Sequence, residues 1–230
     1  AVGISSGGTG CSGGLHIINI QTPTNPVFVG CFSADGYTHD AQCVTYSGSD
    51  PDHQGKEICF CYNEDTLTIV DVLTPSGAVQ LARMSYPDSA YTHQGWATED
   101  HRCVLFDDEI DETWGSVSQT RTHIVDVGDL DNPAYMGFYE HSTAAQDHNM
   151  YVLSNYVYQA NYRSGLRMLD IVDIANTNPV QVGYFDTYPA NDNTGYQGTW
   201  SVYPYFESGV VIASSIGEGL FILLPNVSAA

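Results

Sequence analysis

The chain has 230 residues, of which 43% are hydrophobic, so it is long enough to bury a sizeable core. Its 27 acidic and 6 basic residues give a formal net charge of −21, which argues against a nucleic-acid partner because phosphate binding requires a basic surface. No apolar run approaches the roughly 18 residues of a membrane-spanning helix, so we predict no transmembrane segment.

Short β-like runs separated by turn residues follow one another along the chain, and no segment has a convincing helical period. An incomplete first unit has runs at residues 1–5, 15–20 and 27–32, and because the chain begins within such a run we expect a mature or trimmed form. The later runs lie at 39–46, 57–62, 67–72 and 79–84; around Trp96, then at 103–106, 122–127 and 135–139; at 148–153, 157–161, 166–171 and 180–185; and at 200–205, 210–214 and 220–224.

Two phrases recur along the chain with a period of about 50 residues. The first contains His39, His93 and His148, at intervals of 54 and 55 residues, and Gln197 follows 49 residues later. The second is an apolar run of the type found at residues 67–72. Four-stranded units at this period predict an all-β fold, a β-propeller of five four-stranded blades with an incomplete N-terminal blade, in one domain over residues 1–230. A β-sandwich is the alternative, but it gives no reason for two phrases to recur in step.

The three histidines are predicted to share the mouth of the propeller channel. Each stands at the start of the first run of its unit, and the first strand of a blade lines the axis. Three neutral imidazoles suit a zinc, iron, manganese or copper ion with an open position where water can be activated. The alternative is structural, with each histidine hydrogen-bonded to the backbone of a neighbouring blade.

Polar loops after the second run of each unit should lie on the same face as the histidines. Glu64 and Glu109 are in two of these loops, and either carboxylate is a candidate general base. Arg163 is in a third loop and is one of few cations in an acidic chain, so it is a candidate for binding an anionic group of a substrate.

Three further residues are candidates for contact with a substrate. Gln197 takes the position of the histidine in the last unit, and Trp96 and Trp200 could stack on a sugar, although packing between blades is the alternative. The run from Asp107 to Glu112 has five carboxylates in six residues and is a candidate calcium site, or else a solvated acidic loop.

Six cysteines without a CxxC pair indicate an oxidising compartment rather than a zinc ribbon. Cys31 and Cys43 flank the first histidine phrase, and we predict a disulfide between them. The partners of the other four cysteines are left open; they are Cys11, Cys59, Cys61 and Cys103.

The run Leu67-Thr68-Ile69-Val70-Asp71-Val72 resembles the LVIVD repeat. Longer phrases resemble the choice-of-anchor B family of secreted bacterial propeller proteins. They include Tyr37-Thr38-His39-Asp40-Ala41-Gln42-Cys43 and Asn161-Tyr162-Arg163-Ser164-Gly165-Leu166-Arg167. The resemblance implies a β-propeller at an extracellular or cell-surface location, often with a C-terminal anchoring segment, and it implies no particular reaction.

We therefore expect a secreted propeller with a histidine-rich metal site. The ion would assist the hydrolysis, lysis or oxidation of a small-molecule or polysaccharide substrate. The alternative is a non-catalytic module that binds glycan, protein or calcium through its acidic loops. A third possibility is a structural subunit of an extracellular assembly, which would need large apolar side surfaces.

Overall fold

The computed structural model describes residues 11–226. In this part of the chain 17 strands form five antiparallel sheets, and a one-turn helix and two 3-10 turns interrupt the loops. The strands are β1 Leu15–Asn19, β2 Val27–Phe32, β3 Asp40–Thr45, β4 Glu57–Tyr62, β5 Leu67–Asp71, β6 Val79–Met84, β7 Thr92–Ala97, β8 Cys103–Asp108, β9 Arg121–Asp126, β10 Ala134–Glu140, β11 Asn149–Leu153, β12 Tyr156–Ala160, β13 Leu166–Asp170, β14 Val180–Phe185, β15 Gly198–Tyr203, β16 Val211–Ile216 and β17 Gly219–Leu223. The helix, α1, is Asp111–Trp114, and the 3-10 turns are Pro75–Gly77 and Ile174–Asn176.

The sheets follow the order of the chain. They contain β1 and β2, then β3 to β6, β7 to β10, β11 to β14, and β15 to β17, and within each sheet the neighbouring strands are consecutive in the chain. The first strands of neighbouring sheets contact one another, namely β3 with β7, β7 with β11, and β11 with β15. These first strands are therefore innermost, and the fold is a β-propeller, as the period of the sequence predicted.

The predicted runs agree closely with the strands. Strands β2, β4, β6 and β14 have the predicted bounds, because turn residues delimit each of them sharply. The first strand of the third blade is longer than predicted, since β7 begins at Thr92 and not at Trp96. The predicted run at residues 1–5 lies outside the described residues, and α1 is a single turn, too short to give a helical period.

The hydrophobic core lies between neighbouring sheets. The cluster between the β3–β6 sheet and the β7–β10 sheet includes Phe60, Ile69 and Phe106, all fully buried. Similar clusters fill the spaces between the other adjacent sheets. Burying one such side chain contributes about 1.5–3 kcal/mol, so the apolar runs of each unit hold that blade to the next.

The disulfide prediction was wrong in its pairing. Cys31 is bonded to Cys11 and Cys43 to Cys59, so both predicted cysteines form disulfides but with other partners. Cys31 lies on β2 of the first sheet, whereas Cys43 on β3 of the next sheet lies directly opposite Cys59 on β4. The loop between Cys31 and Cys43 carries the chain from an outer strand to an inner one, and this separates two cysteines that are close in sequence.

His123 makes the stability of this core dependent on pH. Its ring on β9 is buried, stacks on Phe106 with ring centroids 5.0 Å apart, and places Nδ1 2.9 Å from Tyr135 Oη. Burial, and secondly the charge of Arg121, lower the pKa of His123 to about 3. The unfolded chain therefore takes up a proton as the pH falls below about 6.5, whereas the folded protein does not, and stability is lost in that range.

We expect His123→Phe to reduce this loss. Between pH 7.5 and pH 4.5 His123 lowers the free energy of unfolding by about 2–3 kcal/mol, because at pH 4.5 it is protonated only in the unfolded state. Phenylalanine has the shape for the stack but no titrating nitrogen, so the drop in Tm between the two pH values should shrink by about 5–10 °C. Thermal unfolding of both proteins at the two pH values measures this. The variant lacks the Tyr135 contact at both pH values, so this loss does not change the difference in Tm between them. An equal drop in Tm for variant and wild type would contradict the prediction.

Candidate metal centre

The three repeated histidines lie side by side at the starts of three consecutive innermost strands. His39 and His148 immediately precede β3 and β11, and His93 is the second residue of β7. The ring centroids of His39 and His93 are 4.4 Å apart, and those of His93 and His148 are 4.5 Å apart. Three consecutive blades thus bring three imidazoles into contact.

Main-chain carbonyl groups orient two of these rings. His93 Nδ1 lies 2.7 Å from the carbonyl oxygen of His148, and His148 Nδ1 contacts the carbonyl oxygen of Trp200. A carbonyl oxygen can only accept a hydrogen bond, so each Nδ1 carries the proton and donates it. The Nε2 atom of each ring is left with a free lone pair, which is the form that binds a metal ion.

Glu109 lies between the two Nε2 atoms. Its Oε2 is 3.9 Å from His93 Nε2, and its Oε1 is 3.9 Å from His148 Nε2. Ligand atoms of these three residues lie within 4.8 Å of one another. Bonds of about 2.0–2.2 Å to one shared ion require these atoms to lie closer together, so the side chains would move inward on binding.

The next blade holds Glu109 in this place. Tyr162 Oη donates a hydrogen bond of 2.6 Å to Glu109 Oε1, and Gln146 Nε2 donates one of 2.9 Å to the Glu109 carbonyl oxygen. Burial and the nearby Glu109 charge raise the pKa of Tyr162, so its phenol keeps the proton that it donates. Neither Tyr162 nor Gln146 was a sequence candidate, although Tyr162 directly precedes Arg163 in a loop that was.

The protonation states suit metal binding. Burial, with a smaller effect of His93, lowers the pKa of His148 to about 3. Burial also lowers the pKa of His93, against the opposing effect of Glu109. Both rings are therefore neutral at pH 7, and no proton has to leave before an ion binds.

His39 is beside the centre but in a different environment. Its Nδ1 faces two phenols, with Tyr37 Oη at 2.9 Å and Tyr91 Oη at 3.0 Å. Burial and the neighbouring His93 lower the pKa of His39 to about 4, so it is neutral as well. The group of mutually close ligand atoms contains His93, His148 and Glu109 and does not contain His39.

The structure pairs Arg163 with Gln197. Nε of Arg163 donates to Gln197 Oε1 at 2.7 Å, and Nη1 donates to the Thr194 carbonyl oxygen at 2.7 Å. Asn191 and the ring of Tyr188 also contact the guanidinium. Arg163 therefore holds the loop before β15 in place, and its hydrogen-bonding groups are used within the protein.

The remaining candidates differ in how near they lie to the histidines. Trp200 packs against His148 with ring centroids 4.2 Å apart and the ring planes tilted by 47°, and it is 46% exposed, so part of its side chain is accessible beside the centre. Trp96 instead packs on Tyr151 in the core between blades. Glu64 is exposed, and its backbone forms a bridge with Thr92.

The acidic run at residues 107–112 separates into two parts. Asp108 accepts hydrogen bonds from the amides of Ala90 and Tyr91, at 2.7 and 2.6 Å, and from Tyr86 Oη at 2.6 Å. Asp107 Oδ1 accepts from the Gln94 amide at 3.1 Å. Both residues therefore fasten the loop before β7 and the start of β7, whereas the rest of the run lies in the next loop.

The comparisons with known proteins concern the fold. Residues 147–187 match the LVIVD repeat. This segment contains all of β11 to β14, so the match covers one complete blade. Curated protein sequences gave no match.

Two solved structures have the same fold. The periplasmic gluconolactonase PpgL of Pseudomonas aeruginosa is 12% identical, with a TM-score of 0.61 over 88% of this chain and 57% of that one. The β-propeller domain of Cps50 (Swd1) from Myceliophteria thermophila is 10% identical, with a TM-score of 0.55 over 92% of this chain and 64% of that one. The chain thus spans less than two thirds of the length of either protein, and the likeness establishes the propeller fold alone.

Proposed function

We propose that the chain binds one divalent transition-metal ion through His93, His148 and Glu109 and uses it for hydrolysis. The observation that carries the proposal is the pair of imidazole Nε2 atoms, each oriented by a main-chain carbonyl and each 3.9 Å from a Glu109 carboxylate oxygen. Two histidines and one glutamate are the protein ligands of catalytic zinc in several hydrolases, where the fourth position holds water. Zinc is therefore our first choice, ahead of iron, manganese and copper.

The ion would lower the pKa of a bound water and so supply the nucleophile. With Glu109 as a ligand, His39 is the neutral group beside His93 that would accept the proton, and its pKa of about 4 makes it a weak base. Burial and the adjacent Tyr37 raise the pKa of Tyr91, so this phenol stays protonated and can donate a hydrogen bond to substrate oxygen. Glu64 is exposed, its backbone pairs with Thr92 next to His93, and it is the alternative acceptor.

We propose a small carbohydrate-derived ester or lactone as the substrate. Trp200, partly exposed beside His148, would pack against the apolar face of a sugar ring. The likeness to a protein named as a gluconolactonase supports this class through a shared fold. Arg163 is engaged in the loop before β15, so we assign it no contact with the substrate.

We also propose that the protein is secreted. Two disulfides, Cys11–Cys31 and Cys43–Cys59, support an oxidising compartment. Among residues 11–226 no helix is long and apolar enough to cross a membrane. We propose further that the chain belongs to the choice-of-anchor B family and that residues 1–230 form a single domain.

A non-catalytic assembly module is the second candidate function. The residues that favour it are on β17, where Leu220 and Ile222 are 60% and 71% exposed. An exposed apolar strand of this kind is typical of a contact surface. Such a role would require no metal and no turnover.

Elemental analysis of the purified protein, before any contact with chelator, is the first test. We expect about one equivalent of a transition metal and hydrolysis of aldonolactones that stops on chelation and resumes when the metal is restored. A metal-free protein that takes up no zinc would reject the metal centre. Metal without turnover of any lactone or ester would reject the hydrolytic assignment and leave the centre standing.

Tyr162→Phe should weaken metal binding without abolishing it. The variant loses the 2.6 Å hydrogen bond to Glu109 Oε1, so the carboxylate is less firmly oriented. Loss of such a supporting group typically lowers metal affinity about 10–100-fold. Zinc titration against a competing chromophoric chelator measures the change. Tyr203→Phe is the matched control, because Tyr203 is an exposed tyrosine on β15, and affinity equal to wild type in both variants would contradict the supporting role of Tyr162.

A further inference from the structure

The third strand of each complete blade carries two consecutive apolar side chains that point to opposite neighbours. In β5, Ile69 packs in the hydrophobic cluster shared with the following blade, and Val70 packs in the one shared with the preceding sheet. Two further pairs behave in the same way: Ile124 and Val125 in β9, and Met168 and Leu169 in β13. All six side chains are at most 3% exposed, because a sheet covers each side of these blades.

The last sheet departs from this pattern on one side. On β17, Leu223 packs against the preceding blade, so Ile222 points to the side on which a following blade would lie. Ile222 is 71% exposed there, and Leu220, two residues earlier on the same side of the strand, is 60% exposed. Within the described part of the chain Leu220 and Ile222 thus form an uncovered apolar surface, which we call the forward surface.

The first sheet departs from the pattern on the other side. On β1, Ile17 packs towards the following blade, so Ile18 points to the side on which a preceding blade would lie. Ile18 is 46% exposed, and Phe28, directly opposite Ile18 on β2 and therefore on the same side of the sheet, is 54% exposed. Ile18 and Phe28 form a second apolar surface, the backward surface.

We propose that the forward surface of one copy of the chain binds the backward surface of a second copy. Inside the chain, side chains of these two kinds pack together between adjacent sheets; the cluster between the last two sheets, for example, unites Met168 with Leu223. A second copy therefore presents the kind of surface on which the counterparts of Ile222 rest in every complete blade. The contact would continue the packing between blades from one chain to the next. This inference rests on the assembly role proposed for β17 and on no property of the metal centre.

The contact is of the head-to-tail kind, since two different surfaces meet. Such contacts either close into a ring or extend into a row of copies. Each copy carries a formal net charge of −21, so electrostatic repulsion opposes association. Salt shortens the range of this repulsion from about 10 Å at 0.1 M to about 3 Å at 1 M and does not remove the apolar contact. We therefore expect self-association that strengthens as the NaCl concentration rises.

Sedimentation velocity of the full chain at several protein concentrations tests the proposal. Wild type should form assemblies larger than the monomer at high salt. Ile222→Glu places a charge in the forward surface and Phe28→Glu places one in the backward surface, so each should weaken self-association at least about tenfold. If either variant fails to fold, Leu220→Glu or Ile18→Glu provides the same comparison. Val172→Glu is the matched control, because Val172 is 67% exposed outside both surfaces, and it should associate like wild type.

A mixture of the two variants identifies which surfaces meet. Phe28→Glu keeps an intact forward surface and Ile222→Glu keeps an intact backward surface, so an equimolar mixture should form a dimer that neither variant forms alone. Association that Phe28→Glu retains and Ile222→Glu loses would mean that β17 binds β17 of a second copy, and this would overturn the proposal. Wild type that stays monomeric at high salt, or association that neither variant weakens, would overturn it as well.

Zinc titration keeps this result separate from the proposed function. Ile222 and Phe28 are not part of the metal centre, so both variants should bind zinc like wild type. A protein that binds no zinc but forms the mixed dimer would reject the metal centre and support the contact between copies. A protein that binds zinc but stays monomeric would reject the contact and support the centre.

Discussion

His93→Ala is expected to abolish binding of the transition metal while the propeller remains folded. The variant removes one of two imidazole ligands, leaving His148 and Glu109. Loss of a group that only supports a ligand costs about 10–100-fold in affinity, so loss of the ligand itself should exceed about 100-fold. Metal content after dialysis against zinc, measured with circular dichroism on the same sample, gives both results at once.

The control for this variant is His101→Asn. His101 lies outside the centre, and its φ of 52° is a conformation that asparagine adopts readily. The control should retain wild-type zinc. Glu109→Gln gives an independent check, since it keeps an acceptor for Tyr162 but removes the ligand charge, and it should lower zinc affinity as His93→Ala does. Unchanged metal content in His93→Ala would remove this centre from consideration.

Gly95→Ala is expected to destabilise the fold. Gly95 lies opposite Phe106, and the pairing of β7 with β8 shifts register between Thr92 and Gly95. A Cβ atom at this position would collide with the Leu105 carbonyl oxygen and approach Phe106 Cβ to 2.5 Å. Backbone must move to relieve this contact, which costs about 1–3 kcal/mol or more.

The same substitution should disturb the metal centre, because the irregular segment of β7 contains His93. Such bulges aim side chains in directions that a regular strand does not permit. Urea unfolding and zinc titration should both be affected. Gly183→Ala is the matched strand control, with Met168 Cβ at 3.8 Å, and should stay within about 0.5 kcal/mol of wild type. Equal stability of the two variants would show that the close approach at Gly95 is unimportant.

Most of the fold could be predicted from the sequence, because turn residues and apolar alternation repeat with one period. Strands such as Glu57–Tyr62 and Val79–Met84 have clear limits for this reason. The segment Thr92–Ala97 does not alternate, since its polar residues are buried and its register is irregular, and the strand was recognised only at Trp96. The pairing of the cysteines could not be predicted either, because it depends on the sheet in which each cysteine lies.

The site could be predicted less completely. The period identifies the residues at the inner ends of the blades, but the side-chain directions that separate His39 from His93 and His148 depend on local hydrogen bonds. Glu64 and Glu109 follow equivalent strands, yet only Glu109 is among the mutually close ligand atoms.

The use of carbonyl acceptors has a consequence for how this propeller can evolve. The ring at position 93 is oriented by the main chain of residue 148, and the ring at 148 by the main chain of residue 200. Every amino acid at 148 or 200 would provide the same acceptor. One blade can therefore change its inward-facing side chain, and with it the chemistry at the mouth, while the imidazole of the preceding blade keeps its orientation. New ligand sets are accessible in this architecture by single substitutions, one blade at a time.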